Sequence, residues 1–183
     1  MQRVGLRWGA MAFVDLGILT DPVGHALSHV VGALDPRVPR TVAALDLGLP
    51  VDDDVEPLVR SFRGITLCSE GDILVAVFAT PMEGVRCALR LSDRSRAKDR
   101  WTRGALHDGL MSDRTNDDLV EHVTRVAAEL GDLTTSGQLL ITEAVLDGIM
   151  TADRIEAAFQ ETVALDGQAT AVYEIRRLGP ATN

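Results

Sequence analysis

Several side chains in this 183-residue chain could do chemistry, and their spacing decides which chemistry is open to them. His25 and His29 share a helical face at i, i+4, a geometry that can bind zinc, but no third ligand of suitable spacing follows. Cys68 could be a reactive thiol, yet no neighbouring cation in sequence argues for a lowered pKa. Ser, His and Asp all occur without a nucleophile elbow, and His107 in Ala105-Leu106-His107-Asp108-Gly109 reads as a structural, hydrogen-bonded histidine. Two aspartates stand apart. Asp15 lies in Phe13-Val14-Asp15-Leu16, and Asp72 in Glu70-Gly71-Asp72-Ile73-Leu74-Val75-Ala76-Val77-Phe78, each at the end of a short apolar run. Taken singly, each reads as a turn or strand-end aspartate satisfying nearby backbone N–H groups.

The elements that must position these residues follow from periodicity and punctuation. Leu6 to Leu16 suits a buried central strand with Asp15 at its far end. Thr20-Asp21-Pro22 opens a helix whose Val23, Ala26, Leu27, Val30, Val31 and Leu34 share one face, and Asp35-Pro36 stops it. Pro36, Pro39, Pro50 and Pro57 then leave room for a short helix around Thr41 to Leu47 and another around Val55 to Phe62. Ile65 to Cys68 and Ile73 to Phe78 predict a hairpin through Ser69-Glu70-Gly71-Asp72. Pro81 opens a helix with a Val85, Ala88, Leu89, Leu91 stripe, and the basic stretch Arg90 to Arg103, interrupted by Asp93 and Asp99, reads as a solvated connection. A strand from Trp101 to Met111, a helix from Asp117 or Asp118 through Leu130 and a strand over Leu139 to Thr142 come next. Helical pieces over Glu143 to Ile149 and Ala152 to Ala158, then a strand pair of Thr162 to Leu165 with Ala171 to Ile175, complete the order. The implied class is α+β, ferredoxin-like, with helices packed on a mostly antiparallel sheet.

Length and composition favour one domain over residues 1–183, with 46% hydrophobic residues to fill its core. A formal charge of -9 argues against nucleic acid or an anionic membrane as partner, because both need clustered Lys and Arg. Two cysteines suit a reducing cytosol, and neither a signal peptide nor a transmembrane run is evident, so a cytoplasmic location is expected.

In collinear order, several blocks resemble a class III adenylyl or guanylyl (nucleotidyl) cyclase homology domain. Phe13-Val14-Asp15-Leu16-Gly17-Ile18-Leu19-Thr20 is similar to the family's first-strand block. The Gly71-Asp72 hairpin with Ala76-Val77-Phe78 and the Pro81 to Leu91 helix resembles its second metal block, and Ala105 to Gly109 its Gly-x-His-x-Gly strand. Asp118 through Ala128, then Gly137 to Val145, match the following helix and strand.

The resemblance implies formation of a 3′,5′-cyclic nucleotide and pyrophosphate, a phosphorus–oxygen lyase reaction assisted by two Mg or Mn ions. It assigns the metal carboxylates to Asp15 and Asp72, with the Leu16 carbonyl a further ligand, in a site shared between two domains of a homodimer or heterodimer. The second domain's groups carry over poorly. The base-reading pair falls on Cys68 and Asp118, of which only Asp118 fits; the ribose-orienting Asn falls on Arg125, the transition-state Arg on Glu129 and the phosphate-binding Lys on Asp166. Losing one positioned donor to developing negative charge costs about 3 kcal/mol, and here two cations become anions. Arg125, one turn from Glu129, could swing toward the phosphates or pair with Glu129 at i, i+4.

Three functions are therefore open: a cyclase-like protein impaired or inactive as a homodimer and kept for signalling or nucleotide sensing, a metal-supplying subunit of a heterodimeric cyclase, or an active nucleoside triphosphate cyclase with noncanonical residues. The sequence names neither the nucleotide nor the regulatory input.

Overall fold

The computed structural model describes residues 40–109, 126, 129–149, 155–165 and 167–177. The expected strand over Leu6 to Leu16 and the helix after Thr20 lie outside them. Among the described residues seven strands, β1 (Arg40–Asp46), β2 (Ile65–Glu70), β3 (Ile73–Phe78), β4 (Arg103–Gly109), β5 (Leu139–Thr142), β6 (Ile155–Leu165) and β7 (Gln168–Arg177), form one sheet in the order β2-β3-β1-β4-β5-β7-β6. An interior member is β1, Arg40–Asp46, paired antiparallel on one side with β3, Ile73–Phe78, and on the other with β4, Arg103–Gly109. A short helix was expected over Thr41 to Leu47; the segment is strand instead. Every residue from Thr41 to Leu45 is buried, so both faces and both edges are occupied, and sheet pairing overrides the helical propensity of Ala43-Ala44-Leu45.

Helix α1, Val55–Ser61, leads to the predicted hairpin. Its first strand, β2, runs Ile65–Glu70, so the turn shrinks to Gly71-Asp72, with Gly71 at φ 59° where a β-carbon would be strained. Helix α2, Pro81–Arg96, is capped by the Thr80 hydroxyl accepting the Glu83 N–H, and it swallows half of the expected Arg-rich connection. Its stripe of Val85, Ala88, Leu89 and Leu91 packs with Ala43, Leu45, Leu74, Ala76, Phe78 and Leu106 in the main core.

Strand β5, Leu139–Thr142, runs parallel to β4 and is followed by α3, Glu143–Ile149. Helical structure was expected over Ala152 to Ala158; from Ile155 the chain is instead β6, Ile155–Leu165, paired antiparallel with β7, Gln168–Arg177. Ile155 and Ala157 are half-buried where Glu156 and Ala158 are exposed, a period of two that a strand satisfies and a helix does not. Ala105, Leu140 and Val172 face the sheet's other side, where Val126 and Leu130 of the helical residues 126 and 129–132 cover them. The architecture is α+β, as expected. Among the described residues no helix is long and apolar enough to cross a membrane.

Candidate functional site

The site is built where β1 ends. Asp46 is the last residue of that strand, opposite Ile73 on β3 and opposite Arg103 on β4. Asp72 immediately precedes β3, and its carbonyl accepts the Leu47 N–H at 2.8 Å, so the residue after one acid is bonded to the backbone of the other. Both edges of β1 are paired, which fills the sheet position beside the Asp72 hairpin. The resemblance had put Asp15 and the Leu16 carbonyl in that position; Asp15 and Leu16 lie outside the described residues, and the strand end next to Asp72 belongs to Asp46.

The Asp46 carboxylate is engaged through both oxygens. Oδ1 accepts the Gly48 N–H at 2.9 Å and Oδ2 accepts Arg103 Nε at 2.9 Å. The side chains of Arg103 and Asp46 are only 23% and 16% exposed, so the pair is shielded from solvent. Arg103 reaches it because Gly104, at φ 151°, lets β4 approach: a β-carbon there would collide with the Ala44 carbonyl oxygen and lie 2.8 Å from Leu45 Cα.

The loop after Asp46 is tied down on three sides. Val51 N–H donates to the Gly71 carbonyl at 2.7 Å, binding the loop to the hairpin turn. Arg94 of α2 holds Asp52 at 2.7 Å and Asp54 at 3.2 Å, with Lys98 3.5 Å from Asp52. The buried Ser95 hydroxyl donates to the Leu47 carbonyl at 2.9 Å and accepts the Thr102 hydroxyl at 2.9 Å.

Asp46 and Asp72 offer carboxylate oxygens, which suit Mg²⁺ or Mn²⁺ rather than a soft metal. Among the described residues there is no group of three or more His, Cys, Asp or Glu placed to hold a metal. What the fold brings together is a pair of acids, one at a strand end and one in the turn bonded to the next residue.

The other candidates are distributed differently. Cys68 is exposed on β2, where partial enclosure and then Glu70 push its thiol pKa up, so it stays protonated at neutral pH. Glu129 is exposed on the helical stretch 129–132. Asp118, Arg125, Asp166, His25 and His29 lie outside the described residues. His107 Nδ1 is 3.3 Å from the Thr142 hydroxyl on β5, a cross-strand contact in keeping with a structural histidine.

Sequence reasoning missed Asp46 and Arg103. A signal for the first was present, since Asp-Leu-Gly occurs twice, as Asp15-Leu16-Gly17 and Asp46-Leu47-Gly48, both after apolar runs. Arg103 was hidden in a basic stretch read as solvated, and only the register opposite Asp46 reveals it.

No protein-family model matches the chain, and no curated protein does. Solved structures do. An adenylate/guanylate cyclase/hydrolase from Silicibacter pomeroyi is 16% identical, with 78% of this chain covering 98% of that one at a TM-score of 0.60. The adenylyl cyclase CyaB from P. aeruginosa is 13% identical over 77% of this chain and 97% of its own, TM-score 0.58. A non-canonical dimeric guanylyl cyclase domain of the RhoGC fusion protein from Blastocladiella emersonii is 11% identical over 76% and 96%, TM-score 0.56. The chain has the α+β fold of class III nucleotidyl cyclase domains.

Proposed function

We propose that the chain is a class III nucleotidyl cyclase-like protein of cyclic nucleotide signalling, impaired or inactive as a homodimer, whose divalent-metal carboxylates are Asp46 and Asp72. The observation that carries this reading is the placement of Asp46 at the end of the interior strand β1, with its following residue bonded to Asp72. Bound there, Mg²⁺ or Mn²⁺ would lower the pKa of the attacking ribose hydroxyl and neutralise a nucleoside triphosphate. Asp46 and Asp72 would supply the negative oxygens, and the loop ties described above hold them in place. Arg103 already neutralises Asp46, so an arriving dication shares that carboxylate with a guanidinium or displaces it.

The other half of the chemistry is where the chain departs. Cys68 is a neutral thiol and Glu129 an anion at positions where the resemblance implies base-reading and charge-stabilising groups. Asp118 as the remaining base reader, Arg125 as a substitute cation and Asp166 as an anion in place of a phosphate-binding lysine rest on resemblance alone. A metal-supplying role in a heterodimer is supported by the same contrast between an intact acidic pair and a depleted partner set.

The test is to incubate the purified chain with Mn²⁺ and each of the four nucleoside triphosphates, alone and mixed with a cyclase domain that carries the missing Lys, Asn and Arg. The homodimer is expected to form little or no cyclic nucleotide; product on mixing, lost in Asp46→Ala, selects the heterodimer. Robust product from the chain alone would refute impairment. Asp15→Ala tests the alternative first carboxylate and is expected to behave as wild type.

A further inference from the structure

From the buried hydroxyl chain beneath the site we infer that Ser95 and Thr102 are positioning residues for Asp46, an inference that rests on the proposed Asp46–Asp72 metal site. Thr102 Oγ1 donates to Ser95 Oγ at 2.9 Å, and Ser95 Oγ donates to the Leu47 carbonyl at 2.9 Å. Thr102 is 0% exposed and Ser95 3%, so neither hydroxyl has water as an alternative partner, and each bond is made in the low-dielectric core.

Ser95 serves as a hub because α2 ends around it. Its own carbonyl accepts the Lys98 and Arg100 N–H groups, both at 2.9 Å, while Asp99 at φ 56° turns the chain back toward β4. That return delivers Thr102 beneath Ser95 and Arg103 opposite Asp46. Two consecutive residues entering β4 therefore grip two consecutive residues leaving β1: Arg103 takes the Asp46 carboxylate, and Thr102, through Ser95, takes the Leu47 carbonyl. Leu47 is pinned through its carbonyl by the Ser95 bond and through its N–H by the bond to Asp72. With both ends of the Leu47 backbone fixed, the Asp46 side chain has a defined starting point from which to meet an ion near Asp72. A supporting shell of this kind changes metal affinity by about 10- to 100-fold when removed.

The experiment is a titration of the full chain with Mn²⁺, reading the free ion by electron paramagnetic resonance and folding by thermal melting. Ser95→Ala and Thr102→Val are each expected to weaken binding by about tenfold, and Thr102→Ser, which keeps the hydroxyl, to restore wild-type affinity. Thr134→Val is the reference for a lost buried hydroxyl, since Thr134 is 5% exposed and donates to the Gly131 carbonyl; it is expected to leave Mn²⁺ affinity unchanged. Ser95→Ala removes a single oxygen and keeps the fold testable if the valine variant melts. If Asp46→Ala and Asp72→Ala lose the ion while folded Ser95→Ala and Thr102→Val bind it as wild type does, the positioning role is wrong and the metal site stands. If wild type binds no Mn²⁺ with or without nucleoside triphosphate, the metal site is refuted and the positioning role with it.

Discussion

The β1–β4 pair carries an acid at each end, and the two are treated in opposite ways. At one end Asp46 receives a guanidinium and a backbone N–H. At the other, Asp108 receives the Thr41 hydroxyl at 2.9 Å and no further side-chain donor among the described residues, and burial pushes its carboxyl pKa up despite that bond. The same strand pairing thus makes one site compensated for negative charge and another that favours a proton. In the proposed reading a dication would share or take over the compensated carboxylate next to the Asp72 turn, whereas a carboxyl that resists ionising is a poor ligand.

The largest expected effect breaks the pairing itself. Gly104→Ala would place a β-carbon against the Ala44 carbonyl in a backbone region disfavoured for alanine, at a cost of about 3 kcal/mol or more. Urea unfolding should show the midpoint fall sharply, with loss of Mn²⁺ binding in any folded remainder. A wild-type midpoint would mean that β4 does not approach β1 as closely as the register requires.

Next in size is the acid itself. Asp46→Ala is expected to weaken Mn²⁺ at least a hundredfold, about 2.7 kcal/mol, in the same titration that leaves Asp15→Ala and Asp108→Asn unaffected. A large loss in Asp15→Ala with none in Asp46→Ala would reverse the assignment of the strand-end acid.

Arg103→Met sharpens the comparison by making the two ends alike. It should cost about 2 kcal/mol of stability, less than the loss of one partner from a fully buried pair because both side chains retain some exposure. It should also tighten Mn²⁺ binding severalfold in the absence of nucleotide, because the ion no longer competes with a guanidinium. Weaker binding would show that Arg103 orients Asp46 more than it competes for it.

How much of this was legible in the residues differs by region. The hairpin, α2, β5 and α3 were readable because each has a clean period and local punctuation, such as Thr80-Pro81 before α2 and Gly71 in the turn. Strand β1 was not. Arg40–Asp46 is buried on both faces, so it has no alternation to betray it, and its alanines favour a helix until β3 and β4 are in place. The same misreading kept Asp46 from view as a candidate, since the Asp-Leu-Gly pattern of residues 15–17 recurs at residues 46–48. The β6 strand was hidden for a related reason: Ala157-Ala158 carries little strand preference until β7 pairs with it. Asp72, by contrast, sits in a local turn that needs no distant partner to be recognised.

The smallest effect tests the far end of the pair. Because its folded-state pKa is raised, Asp108 contributes stability that is fully present below its unfolded pKa and lost as pH rises through the folded value. At neutral pH the buried carboxylate is therefore a modest liability. Asp108→Asn keeps an oxygen to accept the Thr41 hydroxyl while removing the charge. The variant should melt slightly higher than wild type at pH 7, with the gap closing as the pH falls through the raised folded pKa toward the ordinary carboxylate value and wild type gains its proton. Asp46→Asn should move the other way at pH 7, because it strands the Arg103 guanidinium with a neutral partner. If both asparagine variants shifted the melting temperature in the same direction, the contrast between the two ends would come from packing and not from charge.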